Sequence, residues 1–222
     1  MFLLINPKNF KRRCKRILYP EKITVGEKYY FSLTLPIIRG IPQWQGLCTK
    51  EKLLLPAGLV PPPCFSVYGD YDWQLNLAVE KLKKRLVTDK CDLVFVDIKG
   101  RFGRLVSRIA EYTRNVAVIS ENTEYYEQLR EEMYSGLGCY LEINSTLGLQ
   151  NGYLFVAEGE PPTDIGPQFR RVSVNSVTEE DVAIPDCFLR YFPKDIPRCA
   201  LSEALYSKWG VGRIGDYVKN IL

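Results

Sequence analysis

Two spacings of apolar residues organise the chain. From Leu93 to Ile98 the segment LVFVDI is almost continuously apolar and rich in β-branched residues, and VAVIS at Val116–Ser120 repeats the pattern. Short runs of this kind predict strands buried on both faces, as in the middle of a parallel sheet. Between them Leu105, Val106, Ile109, Ala110 and Thr113 form one helical stripe. Tyr125, Leu129 and Met133 predict a second helix that ends at Gly136 or Gly138. Ahead of the first strand, Leu75, Val79, Leu82 and Leu86 predict a helix over Trp73–Val87, with Asp70 and Asp72 as N-caps. CYLEIN, GYLFVAE and FRRVSVN supply three further strands.

Strands alternating with helices predict right-handed crossovers and a mostly parallel sheet. The later connections are short and STLGLQNG carries no helical pattern, so part of the sheet is expected to be irregular or antiparallel. Residues 1–70 read as strand and loop. FLLI is a short strand, two β-rich runs flank Gly26-Glu27-Lys28 as a hairpin, and KLLLPAGLVPPPCF is broken by prolines. In the tail, Leu201, Ala204, Leu205 and Trp209, then Ile214, Tyr217, Val218 and Ile221, form apolar faces expected to pack on the sheet or return to the N-terminal part. The expected fold is α/β. A small β-rich N-terminal part with a linking helix occupies residues 1–88, and a Rossmann-like, mostly parallel sheet occupies residues 89–222.

Composition narrows the chemistry. The chain has 222 residues, 46% of them hydrophobic, enough for a sizeable core. Its net charge of +4 is mild. The run KNFKRRCKR, Lys8 to Arg16, concentrates six basic residues but offers only Phe10 for stacking, which argues for a solvated face or an acidic protein partner over nucleic acid. There is no histidine, which excludes a Ser-His-Asp triad and His-ligated metal. Seven scattered cysteines without a C-x-x-C pair fit a reducing cytoplasm. MFLLIN is too short for a signal-peptide core, and no apolar run approaches the roughly 20 residues of a membrane span.

The candidate chemistry lies at the end of the first buried strand. Ile98-Lys99-Gly100-Arg101-Phe102-Gly103 aligns with the G-x-G-x-x-G turn of dinucleotide sites, with Ile98 in place of the first glycine. Gly100 is spaced for close backbone approach to a pyrophosphate and Gly103 for helix–strand packing. A following helix aims its free amides at an anion. Lys99, Arg101 and Arg104 offer cations. Glu121, 18 residues past Gly103, is placed to accept from a ribose hydroxyl pair.

The segment KGRFGRLVSRIAEYTRNVAVISENTEYYEQLREE resembles Rossmann-type NAD(P)-binding domains. Its GRFGR turn is especially similar to that of nucleotide-sensing domains in bacterial potassium transport systems. The likeness covers Leu93 to Ile143. The later IPDCFLRYFPKDIPRCALSEALY is similar to the closing segments of amino-acid and shikimate-type dehydrogenase cofactor domains. The resemblance implies NAD or NADP in a cleft above the strand ends, touched by Lys99, Gly100, Arg101, Phe102, Gly103 and Glu121. It also implies kinship with NAD(P)-dependent oxidoreductases.

Two other readings stay open. Laid on the S-adenosylmethionine methyltransferases, VDIKGRFGRL offers Asp97 as the acid that ends the strand. The lost glycine and absent histidines also fit a degenerate, non-catalytic module serving as scaffold or regulator, with a protein partner or a second copy of itself. Structural explanations stand beside the chemical ones: the glycines as a plain tight turn, Glu121 and Glu124 as caps for the second helix, and Glu158-Gly159-Glu160-Pro161-Pro162 as a polar turn.

Overall fold

The computed structural model describes residues 1–10, 20–163 and 165–219. The basic run beyond Phe10, and Ile221, lie outside the described residues. The chain groups into two compact units. One comprises Met1–Trp73 with Glu179–Tyr217, and the other comprises Gln74–Thr178 and continues at Val218. The tail expected to belong with residues 89–222 is therefore grouped with the N-terminal segment.

In the first unit, β1 (Leu3–Phe10), β2 (Glu21–Val25), β3 (Lys28–Ile38), β4 (Ile41–Pro42) and β5 (Leu53–Leu54) form a mixed sheet ordered β2-β3-β1-β5, with β4 on β3. The hairpin expected around Gly26 joins β2 to β3. Val25 pairs with Lys28, and Gly26 takes φ +60° at the first turn position, where a side chain would be strained. Side chains alternate across β1. Ile5 joins Leu35, Leu53 and Leu55 in a core closed by Trp44 and Phe65. Phe2 is also buried, and stacks on Tyr30 at 5.4 Å.

Helix α1 (Tyr71–Asp89) opens where the Asp70 Oδ1 accepts the Trp73 amide at 3.0 Å. Its stripe of Leu75, Ala78, Val79, Leu82 and Leu86 is buried in the core of the second unit. There β6 (Asp92–Asp97), α2 (Gly103–Ala110), β7 (Val116–Ile119), α3 (Thr123–Leu137), β8 (Leu141–Ile143), β9 (Gly152–Glu158) and β10 (Phe169–Ser173) follow in turn. The five strands form one sheet ordered β10-β9-β6-β7-β8. Every pairing is parallel.

The parallel pairing of β9 and β10 departs from the irregular or antiparallel edge expected there. Short connections suffice because the strands are short. The eight residues 144–151 reach roughly 26 Å when extended, while β8 and β9 are three strand spacings apart, roughly 14 Å. The core follows from this economy. Leu93, Phe95, Val118 and Phe155 share one cluster with α1, α2 and α3. The alternate residues Val94, Val96, Leu154 and Val156 form a second cluster with Leu149 and Ile165, which come from the two helix-free connections.

The tail returns to the first unit as α4 (Asp186–Leu189), α5 (Arg198–Ala204), a π turn over Leu205–Trp209 and a 3-10 turn over Ile214–Tyr217. Its aromatic residues complete the packing around Phe2. Trp209 lies 5.2 Å from Phe2, and Phe192 stacks on Tyr30 at 5.0 Å. Among the described residues no helix is long and apolar enough to cross a membrane.

Candidate functional site

Numbered by appearance, the strands of the parallel sheet run 5-4-1-2-3. Successive strands are added to one side of β6 and then to the other. The reversal falls between β6 and β9, the topological switch point where open α/β sheets take their ligands. The glycine turn leaves β6 at this point.

The turn bends without the missing glycine because Gly100, at φ +71°, supplies the positive φ two residues later. Its amide donates to the Asp97 carbonyl at 3.0 Å. The next two amides turn back onto the carboxylate of the same residue. The Arg101 amide donates to Asp97 Oδ1 at 3.1 Å, and the Phe102 amide to Oδ2 at 2.7 Å. A third donor, the Tyr126 hydroxyl from α3, reaches Oδ2 at 2.6 Å. Both side chains are fully buried. Burial, and then the bond to Asp97, pushes the Tyr126 hydroxyl far above its usual range, so it stays a donor.

The small size of both glycines is used by the next βα unit. A Cβ on Gly100 would lie 2.6 Å from Asn122 Cβ, and one on Gly103 would lie 2.5 Å from the Tyr125 ring. Asn122 in turn caps α3, accepting the Tyr125 amide at 3.4 Å. The amide of Glu121 donates to the Ile98 carbonyl at 2.8 Å, and the Ser120 hydroxyl donates to the same carbonyl at 3.2 Å. Asn144 exchanges two bonds of 2.8 Å with the Ser120 main chain. The strand ends are thus laced to one another by their own polar groups.

Of the residues singled out in the sequence, Lys99, Gly100, Arg101, Phe102, Gly103 and Glu121 all come together at this turn. Glu121 is exposed and tied in through its main chain. Lys99 Nζ and Arg101 Nη1 both approach Glu158 Oε1, at 3.3 and 3.2 Å. Glu158 ends β9, opposite Asp97. Ile98 fills the neighbouring space, since a Cβ on Gly159 would fall 2.3 Å from its Cγ1. The Arg101 and Phe102 amides are thus held by Asp97, and the spaces beside Gly100 and Gly103 are filled by Asn122 and Tyr125.

Two polar clusters had no signature in the sequence. At the opposite end of β6, the buried Asp92 accepts two bonds from Arg114, at 3.0 and 2.9 Å, one from Asn115 at 2.9 Å and one from the Gln150 amide at 2.8 Å. Burial alone would raise its pKa, but these donors outweigh it and hold the carboxyl below its usual range. Cavities of about 450 and 430 Å³ flank this end of the sheet, one lined by Arg114, Tyr140 and Leu147, the other by Cys91, Tyr153 and Arg170. In the first unit, Lys52 Nζ bridges Asp70 Oδ2 at 2.5 Å and Glu203 Oε1 at 2.6 Å, while Glu203 Oε2 accepts the Gly69 amide at 2.6 Å. Among the described residues no group of three or more His, Cys, Asp or Glu side chains is placed to hold a metal ion.

Comparisons with protein-family models, with curated proteins and with solved structures found no match.

Proposed function

We propose that this chain is a Rossmann-like module whose glycine turn is closed from within, and that it works as a non-catalytic scaffold or regulator. One observation carries this reading: the Asp97 carboxylate accepts both turn amides that would otherwise meet a ligand phosphate. A buried carboxylate with three donors is in a stable setting. A phosphate must displace it before reaching those amides. Partners of such a module are proteins, a second copy of the chain included, and the free cysteines among the described residues fit a cytoplasmic setting. A thermal-shift screen with NAD, NADP, ATP and S-adenosylmethionine tests this. The melting temperature stays unchanged at millimolar ligand, whereas a saturable rise contradicts the reading.

A second reading, an NAD(P)-binding relative of the oxidoreductases, draws support from the strand order. The reversal beside Gly100 is where dinucleotides bind in such sheets. It requires Asp97 to release the Arg101 and Phe102 amides when cofactor arrives. The methyltransferase reading has less support, because the acid it needs, Asp97, faces the turn's own amides.

A further inference from the structure

We propose that the five-stranded parallel sheet continues from one copy of the chain into the next, the β8 edge of one copy pairing with the β10 edge of a second. This names the partner of the scaffold reading above and rests on that reading.

The two edges are complementary in charge. Strand β8 is Leu141-Glu142-Ile143 and has none of the lysines, prolines or bulges that usually guard an exposed strand. Tyr134, Leu137, Tyr140 and Leu147 around it are exposed. Tyr140, Glu142 and Leu147 also line the cavity of about 450 Å³ at this edge. Helix α3, which packs with Leu141 in one core, carries Glu124, Glu127, Glu131 and Glu132 against a single base, Arg130. The opposite edge is basic, because Arg170 and Arg171 of β10 are both exposed. Pairing two β8 edges would set acid against acid, and pairing two β10 edges would set arginines against arginines. Charge therefore selects β8 against β10.

The main chains are complementary as well. In an extended strand the amide and carbonyl of one residue point to the same side, and the side alternates along the strand. The Asn144 amide donates to the Val118 carbonyl at 2.8 Å, so the main-chain groups of Leu141 and Ile143 face away from β7. The Gln168 carbonyl accepts from the Gly152 amide at 3.5 Å, so the main-chain groups of Arg171 face away from β9. The Arg171 amide of the second copy can then donate to the Leu141 carbonyl, and its carbonyl can accept from the Ile143 amide. That register sets Glu142 opposite Arg171 and Ile143 opposite Val172. It also keeps the faces of the sheet aligned. Leu141, Ile143 and Val172 all lie on the helix-covered face, and Glu142 and Arg171 lie on the other. Because two different edges meet, each pair leaves one edge of each kind free, and further copies add at the ends.

Sedimentation velocity of the full chain, from micromolar to millimolar concentration, tests this. The average mass of the wild type is expected to rise with concentration. Glu142→Arg and Arg171→Glu each set like charges opposite one another and should each weaken association about 10-fold. Mixing the two variants restores it, because opposite charges then meet again. Unchanged circular dichroism reports that each variant is folded. A wild type that stays monomeric at millimolar concentration overturns the proposal. So does association that Arg171→Glu leaves unchanged, as a dimer through two β8 edges would show, or a mixture no more associated than its components. None of these outcomes bears on the closed turn, which the ligand screen tests separately.

Discussion

The hydroxyl of Tyr126 donates a 2.6 Å hydrogen bond to Asp97, and neither side chain reaches solvent. The bond ties the last residue of β6 to the first turns of α3. It also fixes the carboxylate so that both of its oxygens face the amides of the glycine turn. Sheet, turn and second crossover helix are thereby coupled through one buried charge.

Removing the phenol therefore costs stability. Tyr126→Phe deletes one of three donors to a buried carboxylate, an expected loss of about 2 kcal/mol. Asp97→Ala removes the carboxylate that accepts from two amides and a phenol and costs more, about 4 kcal/mol. Urea denaturation measures both. Equal losses, or a larger loss for Tyr126→Phe, would show that Asp97 is not the hub.

Gly103 faces Tyr125, not open space. Gly103→Ala is expected to destabilise by about 2 kcal/mol, because its methyl overlaps the Tyr125 ring. Combining it with Tyr125→Ala removes the clash, so the double variant loses less than the sum of the single ones. A Gly103→Ala variant as stable as wild type would mean that the Tyr125 ring swings aside and does not fix this position.

The Asp92 cluster gives a pH dependence of definite sign. The folded-state pKa of Asp92 lies below its ordinary value of 3.8. Its contribution is fully present above that ordinary value and is lost as pH falls through the lower folded value. Wild-type stability should therefore decline on acidification below about pH 4. Asp92→Asn should flatten that part of the decline, and Arg114→Gln should move the Asp92 titration upward, as followed by carboxyl NMR. An unchanged acid slope in Asp92→Asn contradicts this assignment.

In the first unit, Glu203 holds Lys52 and the Gly69 amide together. Glu203→Ala removes the 2.6 Å bond to the Gly69 amide and leaves Lys52 with Asp70, an expected loss of about 3 kcal/mol by denaturant unfolding. Lys52→Met, which leaves two carboxylates facing each other, should be partly rescued when combined with Glu203→Gln. Additive losses would show that the three groups do not act as one cluster.

Much of this architecture was written in short-range spacing. The apolar runs at β6 and β7 and the stripes Leu75–Leu86 and Leu105–Ala110 fold as their periods require, because burial on one face or two leaves a local trace. The position of the glycine turn was equally legible. Its closure was not, since an aspartate ending a strand looks the same whether it faces a ligand or its own loop. The tail's place beside β1 and β3 was legible only as one of two packings open to its apolar faces, for another reason. It depends on Phe2, Tyr30, Phe192 and Trp209 meeting across more than 150 residues of sequence, and such contacts leave no periodic mark.

Amide hydrogen exchange at Arg101 and Phe102 tests the closed turn most directly. With both amides held by Asp97, they should exchange slowly in the free protein, exchange no more slowly with millimolar NAD, and lose their protection in Asp97→Ala. Rapid exchange in the free protein that becomes slow only when NAD is added would contradict the account.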